Sequence, residues 1–267
     1  MRPKAVIPCL DVKDGKLVKG VHFVELRQIG DPAEAAAAYD KAGADELVFL
    51  DITATIERRK TTLDAVWRTA RRIKVPLTVG GGVSSLDDMQ RLFDAGAAKV
   101  SINTAAVVKP ELIRQAAEKF GPERITVAID ARKSRKAPSG FQVMVRGGRK
   151  ATGIDAQEWA RRVEVLGAGA ILATSMDADG TQAGYDIRMT RAIATNVSLP
   201  VIASGGAGKL KHLSEAILFA KAAAVLVASI AHFGIYTIRQ MKEHLASCGI
   251  PVRLPDAPPA ARPSVWV

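Results

Sequence analysis

The sequence predicts a single (β/α)8 TIM barrel assembled from two repeated half-barrels. Three observations carry that prediction. Short apolar runs alternate with segments of helical spacing along the chain, as parallel strands joined by helices do. The second half restates the first at a nearly constant offset of 124 residues. The length, 267 residues, suits one barrel of this kind.

The strand candidates are residues 6–10, 47–50, 77–79 and 100–102, then 125–129, 171–174, 201–203 and 225–228. Each is apolar on both faces, the pattern of a strand buried between a barrel interior and an outer ring of helices. Four units in each of two copies make eight. After the first strand, Asp31-Pro32-Ala33-Glu34 reads as a helix start: a capping Asp, Pro in the first turn, and Glu three residues after the cap. Asp155-Ala156-Gln157-Glu158 repeats it, and Gly43 and Gly167 stand where both helices need a left-handed stop. Further along, Leu63 matches Ile187, Pro76 matches Pro200, and Gly81-Gly82 matches Gly205-Gly206. Leu86, Met89 and Phe93 share a helix face, as do Ile238, Met241 and Leu245. A doubly wound open sheet is the alternative, but no G-x-G-x-x-G follows the first strand.

The barrel takes residues 1–254, with half-barrels of about 1–122 and 123–254. Residues 134–153 hold an apolar stretch and a Gly-Gly turn, and read as a hairpin inserted after the fifth strand. Residues 255–267 are rich in Pro and Ala without periodicity, and read as a disordered tail ending near Trp266.

Composition narrows the function. Apolar residues make up 48% of the chain and aromatics 5%, so the core is Val, Ile, Leu and Ala. No apolar run approaches the ~20 residues of a membrane span, and the start lacks the pattern of a secretion signal. Two cysteines, Cys9 and Cys248, make neither a disulfide framework nor a zinc site, which fits a reduced cytoplasm. The four histidines, His22, His212, His232 and His244, lack metal-ligand spacing. Neither a metal nor a cofactor is implied. The net charge of +11 gathers in runs at 57–60, 131–136 and 160–162. No aromatic interleaving or nucleic-acid motif accompanies them, so they read as solvated surface, with attraction of an anionic small molecule as the alternative.

In such barrels the chemistry sits at the C-terminal ends of the strands. Just past the eight strand ends stand Asp11, Asp51, Gly80-Gly81-Gly82, Asn103, Asp130, Asp177, Gly205-Gly206 and Ser229. A glycine-rich loop before a helix is either a tight turn or a phosphate cradle. Two such loops in register, each followed by a small polar strand end, favour phosphate at both, hence a ligand with a phosphate at each end. Asp11 and Asp130 face each other from the two halves, as a pair able to divide proton transfer. Asp51 and Asp177 form a second pair, as readily structural as functional. Cys9 reads as a buried thiol. Lys19 lies between Asp11 and Asp31 in a polar segment without helical or strand period, which reads as a lid hinged at Gly15, Gly20 and Gly30.

These residues stand in motifs: CLDVKDGKLVKG, GADELVFLDIT, VGGGV, KVSINTAAV, VAIDA, DGTQAGYD and IASGGAGK. Over residues 4 to about 254 they resemble the cyclase subunit of imidazole glycerol phosphate synthase, a glutamine-dependent enzyme of histidine biosynthesis. The resemblance implies a barrel that uses ammonia to convert a phosphoribulosyl-formimino aminoimidazole carboxamide ribonucleotide. The products are imidazole glycerol phosphate and aminoimidazole carboxamide ribonucleotide. It places the catalytic acids on Asp11 and Asp130 and the lid lysine on Lys19. Substrate and phosphate contacts fall on Gly81, Gly82, Asn103 and Thr104 at one end. At the other they fall on Asp177, Gly180, Thr181, Ser204, Gly205, Gly206, Ala228 and Ser229. It also implies a heterodimer with a glutaminase subunit, and no nucleic-acid or membrane partner.

The sequence departs from the family at the opposite end of the barrel. The family's four-charge ring around the ammonia inlet, Arg, Glu, Lys and Glu, here reads Ala5, Glu46, Lys99 and Ala170. Two short side chains predict a wider inlet. Gly96, a helix stop, is matched by Ala222 in the second half. The competing readings are the sister isomerase acting one step earlier, with acids on the same two strands; a non-catalytic barrel or a cyclase paralogue serving amidation of another sugar; and a basic nucleic-acid binder.

Overall fold

Along the first strand Ala5, Ile7 and Cys9 face one way and Val6, Leu10 and Val12 the other, and both sets are buried. Period-two alternation with two apolar faces requires cover on both sides of the sheet. The computed structural model describes residues 3–21, 24–52, 54 and 62–255. His22, the whole basic run at 57–60 and the tail from 256 onward, with Trp266, lie outside the described residues.

The first half holds β1 (Ala5–Lys13), β2 (Lys16–Val21), β3 (Val24–Gly30), α1 (Pro32–Lys41), β4 (Leu47–Asp51), α2 (Leu63–Ala70), β5 (Leu77–Gly80), α3 (Leu86–Asp94), β6 (Lys99–Ile102), α4 (Thr104–Val108) and α5 (Glu111–Phe120). The second holds β7 (Ile125–Lys133), β8 (Phe141–Val145), β9 (Lys150–Asp155), α6 (Ala156–Val165), β10 (Ala170–Ser175), α7 (Ile187–Ala194), β11 (Val201–Ser204), α8 (Leu210–Leu218), β12 (Ala224–Val227), α9 (Ser229–His232) and α10 (Ile238–Ser247). Eight parallel strands close in the order β1-β4-β5-β6-β7-β10-β11-β12, with β12 paired back to β1. This is the (β/α)8 barrel the alternation predicts. Ala5, Ile7, Cys9, Val48, Leu172, Ile202, Ala224 and Leu226 fill its interior. Among the described residues no helix is long and apolar enough to cross a membrane.

The repeated helix starts behave alike. Asp31 accepts from the N–H groups of Ala33 and Glu34, and Asp155 from those of Gln157 and Glu158. Each satisfies donors that the first helical turn leaves orphaned. Gly43 and Gly167 follow these helices at φ +85 and +90. Pro255 packs on Gly43, where an added Cβ would lie 2.8 Å from it. In the second half the left-handed residue near the Gly96 equivalent is Lys221, at φ +63, rather than Ala222.

Two hairpins extend the barrel strands over its C-terminal end. β8 pairs with the end of β7, and β9 with β8. The other hairpin corrects the reading of residues 11–31 as lacking strand structure: β2 pairs with β1 and β3 with β2. The turn is Asp14-Gly15, with φ +50 and +73. Two consecutive left-handed residues match the twist of the flanking strands. Backbone pairing therefore holds this segment where its side chains show no alternation. Lys19 lies in β2, opposite Arg27.

At the N-terminal end, α10 is pinned by a buried ion pair. Lys242 Nζ lies 2.8 Å from Asp45 Oδ1, and Lys242 is 1% exposed. The other carboxylate oxygen accepts from Val6 N at 3.0 Å. Burial holds the Lys242 ammonium below its usual range even with Asp45 beside it. Removing one partner leaves a desolvated charge, which costs about 3–5 kcal/mol, whereas replacing both by apolar residues is often neutral. Asp45→Ala is therefore expected to lose about 3 kcal/mol or more in urea unfolding. A loss below about 1 kcal/mol would show a pair with little desolvation, as at a surface.

Candidate active site

The inward series of β1, Ala5, Ile7 and Cys9, continues to Asp11, and the inward Ala128 of β7 continues to Asp130. Both acids line a cavity of about 1280 Å3 at the C-terminal end of the barrel. Its floor is apolar, formed by Cys9, Leu50, Ala128, Leu172 and Leu226. β1 and β7 are four strands apart in either direction around the barrel, so the acids rise from opposite walls.

The two glycine loops also stand opposite one another. Gly81 and Gly82 follow β5, with Asn103 and Thr104 after the adjacent β6. Ser204, Gly205 and Gly206 close β11, with Ala228 and Ser229 after the adjacent β12. All of these line the cavity. Packing explains why glycine is needed. A Cβ on Gly81, at φ +94, would lie 2.1 Å from Asp51 O; one on Gly206, at φ +102, would lie 2.1 Å from Gly184 O. The helices beyond are capped differently. Ser85 caps α3 by accepting from Asp88 N. Before α8 the imidazole of His212 accepts at Nδ1 from Gly208 N and Lys209 N, both at 3.1 Å. Burial lowers the His212 pKa, which keeps that acceptor free of a proton.

Asp130 is half-buried and lines the cavity wall. Burial raises its carboxyl to about 7; the Asn103 side chain donates to it and offsets part of the rise, while nearby Asp179 adds to it. Asn103 Oδ1 is buried and has no hydrogen-bond partner among the described residues. An unpaired buried acceptor costs about 1–3 kcal/mol until a donor reaches it. Asp11 is 6% exposed, and the Cys9 thiol lies 3.5 Å from its Oδ1.

The other sequence candidates divide. Asp177 and Gly180 line the cavity, and Asp177 also accepts from Lys133 N at 2.8 Å, tying the β10 loop to β7. Thr181 stands off the wall, its hydroxyl donating to Ala178 O at 2.7 Å. Asp51 is buried, lines the cavity and accepts from Ala54 N. The cavity also takes Lys109, Arg132 and Arg149 as cations, and Asp179 and Gln182. Arg132 was legible two residues beyond Asp130 on one strand. Arg149 reaches the mouth because the β8–β9 turn folds inward, with Arg146 N donating to Thr104 Oγ1 at 2.9 Å. In the basic runs Arg135, Lys136, Arg161 and Arg162 are exposed. Among the described residues no group of three or more His, Cys, Asp or Glu is placed to hold a metal ion.

The four positions of the expected inlet lie at the N-terminal end of the barrel. Ala5, Glu46, Lys99 and Ala170 are all buried. Lys99 Nζ lies 2.6 Å from Glu46 Oε2, and Thr78 donates to Glu46 Oε1 at 2.5 Å. Ala5 belongs to the same buried apolar cluster as Ile7, Ile202 and Ala224. The cavity wall ends above this layer.

Comparison with known proteins agrees with this geometry. The chain is 57% identical over 256 residues to the imidazole glycerol phosphate synthase subunit HisF of Trichormus variabilis, across 95% of this chain and 99% of that one. Residues 5–237 match the family described as "Histidine biosynthesis protein". That span runs from the first barrel strand past both glycine loops, and the chain belongs to this histidine biosynthesis family.

Proposed function

We propose that the chain is the cyclase subunit of an imidazole glycerol phosphate synthase, working in histidine biosynthesis. The observation that carries this reading is the placement of Asp11 and Asp130 on opposite walls of one cavity, between two opposed glycine loops. A substrate with a phosphate at each end would span the loops, and its reacting centre would lie between the acids. In this reading residues 1–254 are the catalytic domain, 255–267 a tail, and the cytoplasm the compartment.

Ammonia adds to the ribulosyl ketone and water leaves. The new nitrogen attacks the formimino carbon, and the bond from that carbon to the aminoimidazole amine breaks. The attacking nitrogen must lose a proton and the departing amine must gain one. Asp130, protonated over much of the neutral range, suits the donor; Asp11 then serves as acceptor. Gly81, Gly82, Asn103 and Thr104 would hold one phosphate, and Ser204, Gly205, Gly206, Ala228 and Ser229 the other. Asp177, Gly180 and Thr181 belong to the second end, Thr181 through its loop. Lys19 in β2 would close over the mouth. A glutaminase subunit would dock at the end marked by Ala5, Glu46, Lys99 and Ala170, and its ammonia would have to pass the Lys99–Glu46 pair.

The pH profile tests the division of roles. A carboxyl raised to about 7 is protonated below that value and loses its proton above it. With Asp130 as donor, kcat/KM for the bisphosphate substrate at fixed free ammonia falls by about tenfold per pH unit above about 7. A rate that instead rises through this region would exchange the roles of the two acids.

A further inference from the structure

β12 leaves the sheet at Val227, while β1 runs on to Lys13. The last pair between them is Pro8 with Val227, so the next carbonyl of β1, that of Cys9, lies beyond the end of its neighbour. A side chain bonds it: His232 Nε2 lies 2.7 Å from Cys9 O. A carbonyl only accepts, so Nε2 carries the proton. On the other side of the ring, Nδ1 lies 2.7 Å from the Tyr39 hydroxyl. In the neutral ring Nδ1 is the acceptor, and Tyr39 donates. Burial raises the Tyr39 phenol far above its ordinary range, so it keeps that proton.

The relay joins α1, α9 and β1 at a place where two parts of the site meet. His232 ends the four-residue α9, which Ser229 begins. Cys9 precedes Asp11 by two residues on the same inward face, and its thiol touches the Asp11 carboxylate. A single turn of helix has little stability of its own, and α9 has no side-chain hydrogen bond at its N-cap. Ile230, fully buried, keeps α9 docked through apolar contact. Apolar contact is non-directional; the imidazole bond fixes a direction.

We propose that His232 is a positioning residue that sets the second phosphate loop in register with Asp11, in the Nε2–H tautomer that Tyr39 enforces. This role rests on the proposed functions of Ser229 and Asp11. It acts through geometry: displacement of a bound substrate by about 1 Å is enough to lower a rate by about 10²-fold. His232→Leu removes the tie, His232→Gln keeps an N–H able to reach Cys9 O, and Tyr39→Phe removes only the tautomer lock.

The experiment measures kcat and KM with the bisphosphate substrate at saturating ammonium, thermal unfolding, and inorganic phosphate binding at each loop by backbone amide shifts. His232→Leu is expected to lower kcat by about 10- to 100-fold and to weaken phosphate at the 228–229 loop while leaving the Gly81-Gly82 loop unchanged. His232→Gln should recover most of both. Tyr39→Phe should have a smaller effect that adds little to His232→Leu, as expected of groups in one network. Parental kcat and phosphate affinity in His232→Leu would overturn the proposal, as would His232→Gln behaving like His232→Leu, or equal weakening at both loops. If His232→Leu does not fold, His232→Gln and Tyr39→Phe decide: near-parental and mildly reduced kcat support the tie, and a collapse of His232→Gln contradicts it. A parent without ammonia-dependent turnover would refute the cyclase reading instead, with the phosphate comparison still reporting on His232.

Discussion

Asp130→Asn is expected to lower ammonia-dependent turnover by about 10²–10⁴-fold, and Asp11→Asn by a similar factor. Asn keeps the size of the side chain and loses only the ability to give or take a proton. Folding and substrate affinity should change little. Stability gives Asp130→Asn a second signature. In the folded protein the carboxyl is raised from 3.8 to about 7. Its contribution to stability is therefore full below the unfolded value and lost as pH rises through about 7. The Asn variant has no such loss, so its Tm should exceed the parent's at pH 8 by more than at pH 4. A variant that is both dead and less stable at pH 8 would mean that Asp130 holds the structure. Near-normal turnover in either variant would remove that acid from the chemistry.

Gly206→Ala is expected to damage the second phosphate loop and weaken substrate binding. The residue sits at φ +102, and a Cβ there would lie 2.1 Å from Gly184 O. The carbonyl is backbone, and Gly206 O in turn accepts from Gly184 N at 2.7 Å. The two loops must separate. Strain of this kind costs about 1–3 kcal/mol before the lost contacts are counted. KM for the bisphosphate substrate should rise at least about tenfold, equivalent to about 1.4 kcal/mol of lost binding. Gly140→Ala is the control: φ is +84 there, but nothing lies within 4 Å of the added carbon. It should cost only about 1 kcal/mol and leave KM unchanged. Equal KM effects in both variants would show that close packing of the loops is not what shapes the site.

The range of the forces involved decides how much of this site is legible in the sequence. Asp11 and Asp130 stood out because strand alternation and the barrel rule are local and repeat twice. The glycine loops stood out for the same reason. The β2–β3 hairpin did not, although Asp14-Gly15 was a signal for it: its strands are held by backbone pairing that leaves no mark in side-chain alternation. Arg149 and Gln182 reach the cavity through the paths of their loops, and nothing in their neighbourhood announces it. The capping role of His212 depends on a ring turned back onto Gly208 and Lys209. The width of the inlet is not legible either, because it depends on how neighbours pack around a short side chain.

This chain itself is expected to make the imidazole product from a bisphosphate substrate and ammonia. The most direct measurement supplies the purified chain with the phosphoribulosyl-formimino substrate, with and without ammonium salt, and monitors both products. Imidazole glycerol phosphate and aminoimidazole carboxamide ribonucleotide should appear together, in equal amounts, only when ammonium is present, and Asp130→Asn should yield neither. No ring product with ammonium present would rule out cyclase activity, and rapid ammonia-independent conversion of the isomeric aldose precursor would favour the sister isomerase.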